Sequence, residues 1–127
     1  MNQSAYSGRR YINPLRDFVV LKGCFGDSGI MPTDVDGMVE RNGHFLVIEF
    51  KPDGKSVTTG QKIMLRRLSK LKEFTVLVIW HEPCAVHEFK VPVAMQQFPD
   101  VTIEETDIDG VRSVVKSWYQ MADNQKV

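Results

Sequence analysis

A mixed β-sheet covered by helices, the α/β sandwich class, is predicted by three features of the chain. Asn42-Gly43 joins two apolar runs, the pattern of a two-residue hairpin whose turn residues both tolerate positive φ. Phe74 to Trp80 (Phe-Thr-Val-Leu-Val-Ile-Trp) is a continuous apolar run of the buried, parallel-sheet kind. Between them, residues 60–72 carry helical periodicity, with Met64, Leu65, Leu68 and Leu71 as an apolar stripe. A hairpin, a helix and then a strand parallel to the second hairpin strand require a sheet of mixed direction.

Composition places bounds on what this sheet can serve. At 127 residues the chain is sized for one domain, and 43% apolar with 25% charged residues is ordinary for a globular protein. Lys plus Arg and Asp plus Glu balance at 16 each, so no global positive field points to nucleic acid, although a local basic patch can. No segment has the apolar length of a bilayer span, and the start of the chain (Asn2, Gln3, Ser4, Arg9, Arg10) is polar and basic. No membrane partner and a cytoplasmic location are therefore expected. Two cysteines, Cys24 and Cys84, are too few for a disulfide framework.

In chain order, residues 1–12 read as a loose arm. Asn13-Pro14 then opens a helix carrying Leu15, Phe18, Val19 and Lys22, which Gly23 stops. Cys24 to Met31 is a loop. The hairpin strands are expected over 34–41 and 44–51, with apolar residues on both faces and hence cover on both sides. Pro52-Asp53-Gly54-Lys55 turns the chain, and Thr58 or Thr59 caps the helix over 60–72. After Phe74–Trp80, further strands are expected at Ala85–Val91 and Val101–Glu105. Asp107 or Asp109 caps a last helix reaching about Ala122, with Val111, Val114, Val115, Trp118, Tyr119 and Met121 available for packing.

Counting outward from Asn42-Gly43 sets the register of the hairpin. Arg41 faces His44, Met38 faces Val47, Gly37 faces Ile48, Asp36 faces Glu49 and Asp34 faces Lys51. Directly opposed residues share a face, so Asp34, Asp36, Glu49 and Lys51 are expected on one side of the sheet. Opposed carboxylates repel and raise each other's pKa unless a cation sits between them, and an oxygen-rich site suits Mg²⁺ or Mn²⁺. The backbone carbonyl of Phe50, between Glu49 and Lys51, is a natural extra ligand. Such an ion neutralises a phosphate oxygen and acidifies a water, and Lys51 can position that water or stabilise the charge that develops. Gln61 opens the following helix, whose free N–H groups suit a phosphate. Lys62, Arg66 and Lys70, spaced by four, form a basic stripe along that helix.

Asp36, then Glu49-Phe50-Lys51 closing an apolar strand, then Gly60-Gln61 opening a helix resembles the PD-(D/E)xK nuclease superfamily. The nearest resemblance is to its small phage-type, Holliday-junction-resolvase-like members, with Asp34-x-Asp36-Gly37 before Glu49-x-Lys51. The resemblance covers residues 13–80. It implies a restriction-endonuclease-like three-layer sandwich and a metal-dependent endonuclease hydrolysing DNA phosphodiesters, on branched or flapped substrates. Asp36 and Glu49 would hold Mg²⁺ or Mn²⁺, with Asp34 as a second-metal ligand or the partner of Lys51. Lys51 would assist the water, and Gln61 would belong to the catalytic set. DNA contacts would come from Lys62, Arg66, Lys70, Arg9 and Arg10, joined across a homodimer, in a host cytoplasm if the chain is phage-encoded. Two departures stand out. The family's proline commonly sits directly before the first Asp, whereas here Pro32-Thr33-Asp34 and Val35-Asp36 compete for that place. Many relatives also carry a glutamate in the first helix, where this chain offers only Asp17.

His81, Cys84 and His87, three apart, have the spacing of a zinc half-site, but Pro83 and the β-rich flanks favour a surface turn with incidental histidines. A non-catalytic DNA- or protein-binding module on the same fold is the alternative function, and the zero net charge speaks for it.

Overall fold

The structure, a computed structural model, describes residues 18–127. The expected arm, Arg9, Arg10, the Asn13-Pro14 helix start and Asp17 lie outside the described residues. The chain divides into two compact units, Met1–Asp34 and Val35–Val127.

In the first unit, Phe18 takes φ 60 and is followed by a single 3₁₀ turn, Val19–Leu21. A left-handed Phe18 ends any helix arriving from Pro14, so the expected helix does not run on to Lys22. Phe-Val-Val is a poor helical sequence, because β-branched and aromatic side chains lose χ1 freedom against the preceding turn. From Lys22 to Asp27 the chain is a run of turns that ends in a bend at Ser28, whose Oγ donates to the Phe25 carbonyl at 2.8 Å.

The second unit holds a five-stranded sheet in the order β1-β2-β3-β4-β5 and two helices. The strands are β1 (Gly37–Arg41), β2 (His44–Pro52), β3 (Phe74–His81), β4 (Pro92–Phe98) and β5 (Glu104–Glu105), and the helices are α1 (Thr59–Ser69) and α2 (Ile108–Asn124). β2 and β3 are parallel, joined by α1, and the other pairs are antiparallel. Among the described residues, no helix is long and apolar enough to cross a membrane.

Side-chain alternation along β2 and β3 builds one core on each face. Val47, Val76, Val78 and Trp80 pack with Val57, Leu65 and Phe98 on the α1 side. Leu46 and Leu77 pack with Trp118 and Ala122 on the α2 side. Cover on both faces therefore belongs to β2 and β3. The expectation of a doubly covered hairpin fails at β1, an edge strand whose Met38 and Val39 are exposed.

The tip of the hairpin follows the turn chemistry. Asn42 (φ 53) and Gly43 (φ 87) are both left-handed, and the register from Arg41↔His44 to Gly37↔Ile48 is the predicted one. The tip also receives the end of α2. Asn42 Nδ2 donates to the carbonyls of Ala122 (3.0 Å) and Asp123 (3.2 Å), and the Arg41 guanidinium meets the Asp123 carboxylate. Asn42→Gly keeps the turn but removes those two donors to orphan carbonyls at the end of α2. It is expected to cost about 1–2 kcal/mol, read as a lower midpoint in urea unfolding. An unchanged midpoint would show that the tip does not hold the helix.

Three further elements differ from expectation. Residues 85–91 are not a strand: a turn at Ala85–Glu88, closed by the Glu88 N–H on the Ala85 carbonyl, is followed by irregular chain, and the strand runs over Pro92–Phe98 instead. Pro92 stands at the first strand position, where a missing N–H costs least, and the polar pair Gln96-Gln97 hides the strand from a hydrophobicity reading. β5 is two residues long, opposite Ala94 and Met95. α1 ends at Ser69, leaving Leu71 exposed and outside the apolar stripe.

Candidate active site

At the carboxyl end of β2, the strand residues Glu49, Phe50 and Lys51 meet Asp36 from the bend before β1 and Gln61 from the first turn of α1. Val47 packs on the α1 side, so Glu49 and Lys51, at positions i+2 and i+4, face α1 as well. The turn Pro52–Lys55 brings the chain back, with Gly54 at φ 84 and Lys55 N–H on the Pro52 carbonyl. Trp80 Nε1 pins that turn by donating to the Lys55 carbonyl at 2.7 Å.

Asp36 ends the β1–β2 ladder with its own side chain. Hydrogen-bonded pairs recur every second residue, so a continued ladder would give the Phe50 N–H to the carbonyl of Val35. That N–H instead donates to Asp36 Oδ2 at 2.7 Å, and the Asp36 N–H points at Glu49 Oε1 at 3.3 Å. This is why β1 starts at Gly37 and not at residue 34. Asp34 is exposed, precedes the strand and closes the first unit, so the expected ladder position opposite Lys51 does not exist. A strand residue's N–H and C=O point to the same neighbour, so the Phe50 carbonyl faces the Asp36 side, beyond the last paired residue of β1.

Glu49 is the buried member of the group, with 5% of its surface exposed. Its carboxyl is pushed up to about 7, first by burial, then by the hydrogen bond to the Asp36 carboxyl and the charge of Asp36. The Asp36 N–H and the Lys51 ammonium pull the other way, and the burial and the neighbouring carboxyl prevail. Lys51 is half-buried beside this pair.

Gln61 is committed to Glu49, donating from Nε2 to Oε2 at 3.0 Å. Its orientation comes from a capping box: Thr58 Oγ1 accepts the Gln61 N–H at 3.2 Å while Gln61 Oε1 turns back toward Thr58 N. Gln61 is thus a positioning residue for Glu49. Of the two caps expected, Thr58 or Thr59, the structure uses Thr58, and the Thr58-x-x-Gln61 spacing of a capping box ties that cap to the site. Thr58→Ala is expected to cost about 1 kcal/mol of stability, and Thr58→Ser to restore most of it, by urea unfolding. Equal losses in both variants would assign the effect to packing of the methyl group and not to the cap.

The basic stripe on α1 divides. Lys62 and Arg66 border a groove of about 420 Å³ whose lining also includes Lys55, Trp80 and Phe98, whereas Lys70, the C-cap of the helix, is not part of that lining. The His-Cys-His run divides too. His81 is the last residue of β3 and is buried, with Nδ1 2.7 Å from the Glu82 carbonyl and 4.0 Å from Cys84 Sγ, while His87 is exposed. His81 is therefore a packed strand end, its ring edge toward Phe50 at 6.3 Å between centroids, and not a residue of a surface turn. Among the described residues, no group of three or more His, Cys, Asp or Glu side chains is arranged to hold a metal ion. Comparisons with protein-family models, curated proteins and solved structures give no match for this chain.

Proposed function

We propose that this chain is a divalent-metal-dependent DNA endonuclease of the PD-(D/E)xK type, on a restriction-endonuclease-like sandwich. The observation that carries the reading is the Asp36–Glu49 pair, two adjoining carboxyl groups at the end of β2, with the Asp36 N–H on Glu49 Oε1, Lys51 beside them and the Glu49 carboxyl pushed up to about 7. Two carboxylates crowded until one keeps its proton near neutrality form a site suited to a cation. Mg²⁺ is commonly held by one or two carboxylates plus water and substrate phosphate, so Asp36, Glu49 and the Phe50 carbonyl make an adequate donor set without Asp34. When bound, the ion neutralises phosphate charge and lowers the pKa of a water.

The chain's own residues supply the rest. Gln61 fixes the carboxylate plane of Glu49, and the Phe50 N–H fixes that of Asp36. The Lys51 ammonium donates to the phosphate oxygens as charge grows on them during attack of water at phosphorus. One P–O ester bond breaks, leaving a phosphomonoester and a hydroxyl. A second reading, a non-catalytic DNA- or protein-binding module, is favoured by the zero net charge and by the structural work Asp36 does in ending β1. Pairing of two copies, joining two basic surfaces, would offset the weak phosphate attraction of a neutral chain.

Incubation with junction, flap and linear DNA in Mg²⁺, Mn²⁺ or EDTA tests the proposal. Cleavage is expected with either metal, and none in EDTA or with Glu49→Ala. Cleavage that survives Glu49→Ala overturns the site, and failure to cut any of the substrates leaves the binding module.

A further inference from the structure

We infer that the groove between α1 and β4 binds one unpaired nucleotide of a nucleic-acid strand, next to the phosphate presented to Lys51. This rests on the nuclease reading and adds the strandedness of its substrate. The groove measures about 420 Å³ and has two unlike walls. Lys55, Lys62 and Arg66 line it against a single carboxylate, Asp53, so the field inside is that of an anion site. The segment after β4 supplies Val101 and Ile103, apolar yet 82% and 54% exposed. Beneath lie the buried Trp80 and Phe98.

A cavity with a cationic wall and a bare aliphatic wall matches a ligand that is anionic at one end and flat and apolar at the other. A nucleotide is such a ligand, with its phosphate on the cations and its sugar and base face against Val101 and Ile103. The base face is open to that contact only when it is unstacked, which a duplex forbids without extrusion. Position links the groove to the candidate active site. Trp80 is the ladder partner of Lys51, on the adjacent strand and the same face of the sheet. Adjacent strands lie about 4.8 Å apart, so the groove floor begins one strand away from Lys51. The turn that follows Lys51 supplies the groove's Asp53 and Lys55.

The test is fluorescence anisotropy of a labelled dodecathymidylate, and of a duplex of the same length, in EDTA over a range of salt. Wild-type protein is expected to prefer the single strand. Lys62→Gln/Arg66→Gln, two exposed positions, should weaken binding about tenfold or more and reduce the salt slope by about 0.7, the loss of one neutralised single-strand phosphate. Val101→Ser/Ile103→Ser should weaken binding several-fold with the slope unchanged. Preference for duplex, wild-type affinity in both variants, or groove-dependent capture of phosphatidylserine vesicles in place of the oligonucleotide overturns the proposal. Binding in EDTA is read without cleavage, so the two readings fail separately. Groove-dependent binding with no cutting after Mn²⁺ is added supports the groove and removes the nuclease. Metal-dependent cutting that both groove variants perform at the wild-type rate at every salt concentration removes the groove and leaves the nuclease.

Discussion

Lys51→Ala is expected to lower metal-dependent cleavage about a hundred- to a thousandfold, the loss typical of removing one donor aimed at developing charge. The loss should fall on kcat, because the cations placed for strand binding, Lys55, Lys62 and Arg66, are untouched. Lys51 is half-buried at the strand end, so its truncation should change stability by less than about 1 kcal/mol, and urea unfolding separates a chemical defect from a folding one. Lys51→Arg should not restore the rate, since a planar fork on a longer stem places its donors elsewhere. Wild-type kcat in Lys51→Ala would remove Lys51 from the chemistry. A loss confined to KM would reassign it to binding.

Stability should fall as pH rises through the window set by Glu49. Its carboxyl sits at about 7 in the folded chain against 4.5 as a free side chain. Below pH 4.5 it is protonated in both states and no penalty applies. Between 4.5 and about 7 the unfolded chain ionises first, so the unfolded state gains and stability declines, levelling off above about 7. A shift of this size corresponds to at most roughly 3–4 kcal/mol, and screening at the open side of the site brings the expected loss to on the order of 1–2 kcal/mol. Glu49→Gln keeps the shape and has no proton to lose. It should therefore match wild type at pH 4 and exceed it at pH 8, by a few degrees in Tm. A cation held by Asp36 and Glu49 favours the ionised form, so Mn²⁺ should raise the wild-type Tm at pH 8 and leave that of Glu49→Gln nearly unchanged. Parallel pH profiles for the two proteins would show that Glu49 does not titrate in this range. A Tm indifferent to Mn²⁺ would count against the pair as a cation site.

How much was legible beforehand differs from element to element. The hairpin register was legible from two residues, because Asn42-Gly43 is a two-residue turn and a one-residue slip would turn every side chain to the wrong face. β3 and the cap of α2 at Asp107 were legible for similarly local reasons, a continuous apolar run and a side chain that bonds the Gly110 N–H at 2.9 Å. Asp34 was misplaced because counting assumes that the ladder continues. Asp36 stops it by offering a carboxylate where a backbone carbonyl would stand. The strand at Pro92–Phe98 was missed because alternation was clearest over Val86–Val91, a segment whose Val86, Phe89 and Val91 are exposed. Alternation reports what could be buried, and a neighbouring surface decides whether it is.

By itself, then, the sequence determined the α/β class, the parallel β2–α1–β3 unit, and the meeting of Asp36 with Glu49, since each follows from interactions a few residues apart along the chain or directly across a turn. Only the tertiary structure decided that β1 is an edge and that Gln61 is spent on orienting Glu49. The same holds for the assignment of Lys62 and Arg66, but not Lys70, to a groove with Lys55 and Trp80. Those outcomes depend on which surfaces face one another after packing, a relation between residues far apart in the chain that no local spacing encodes.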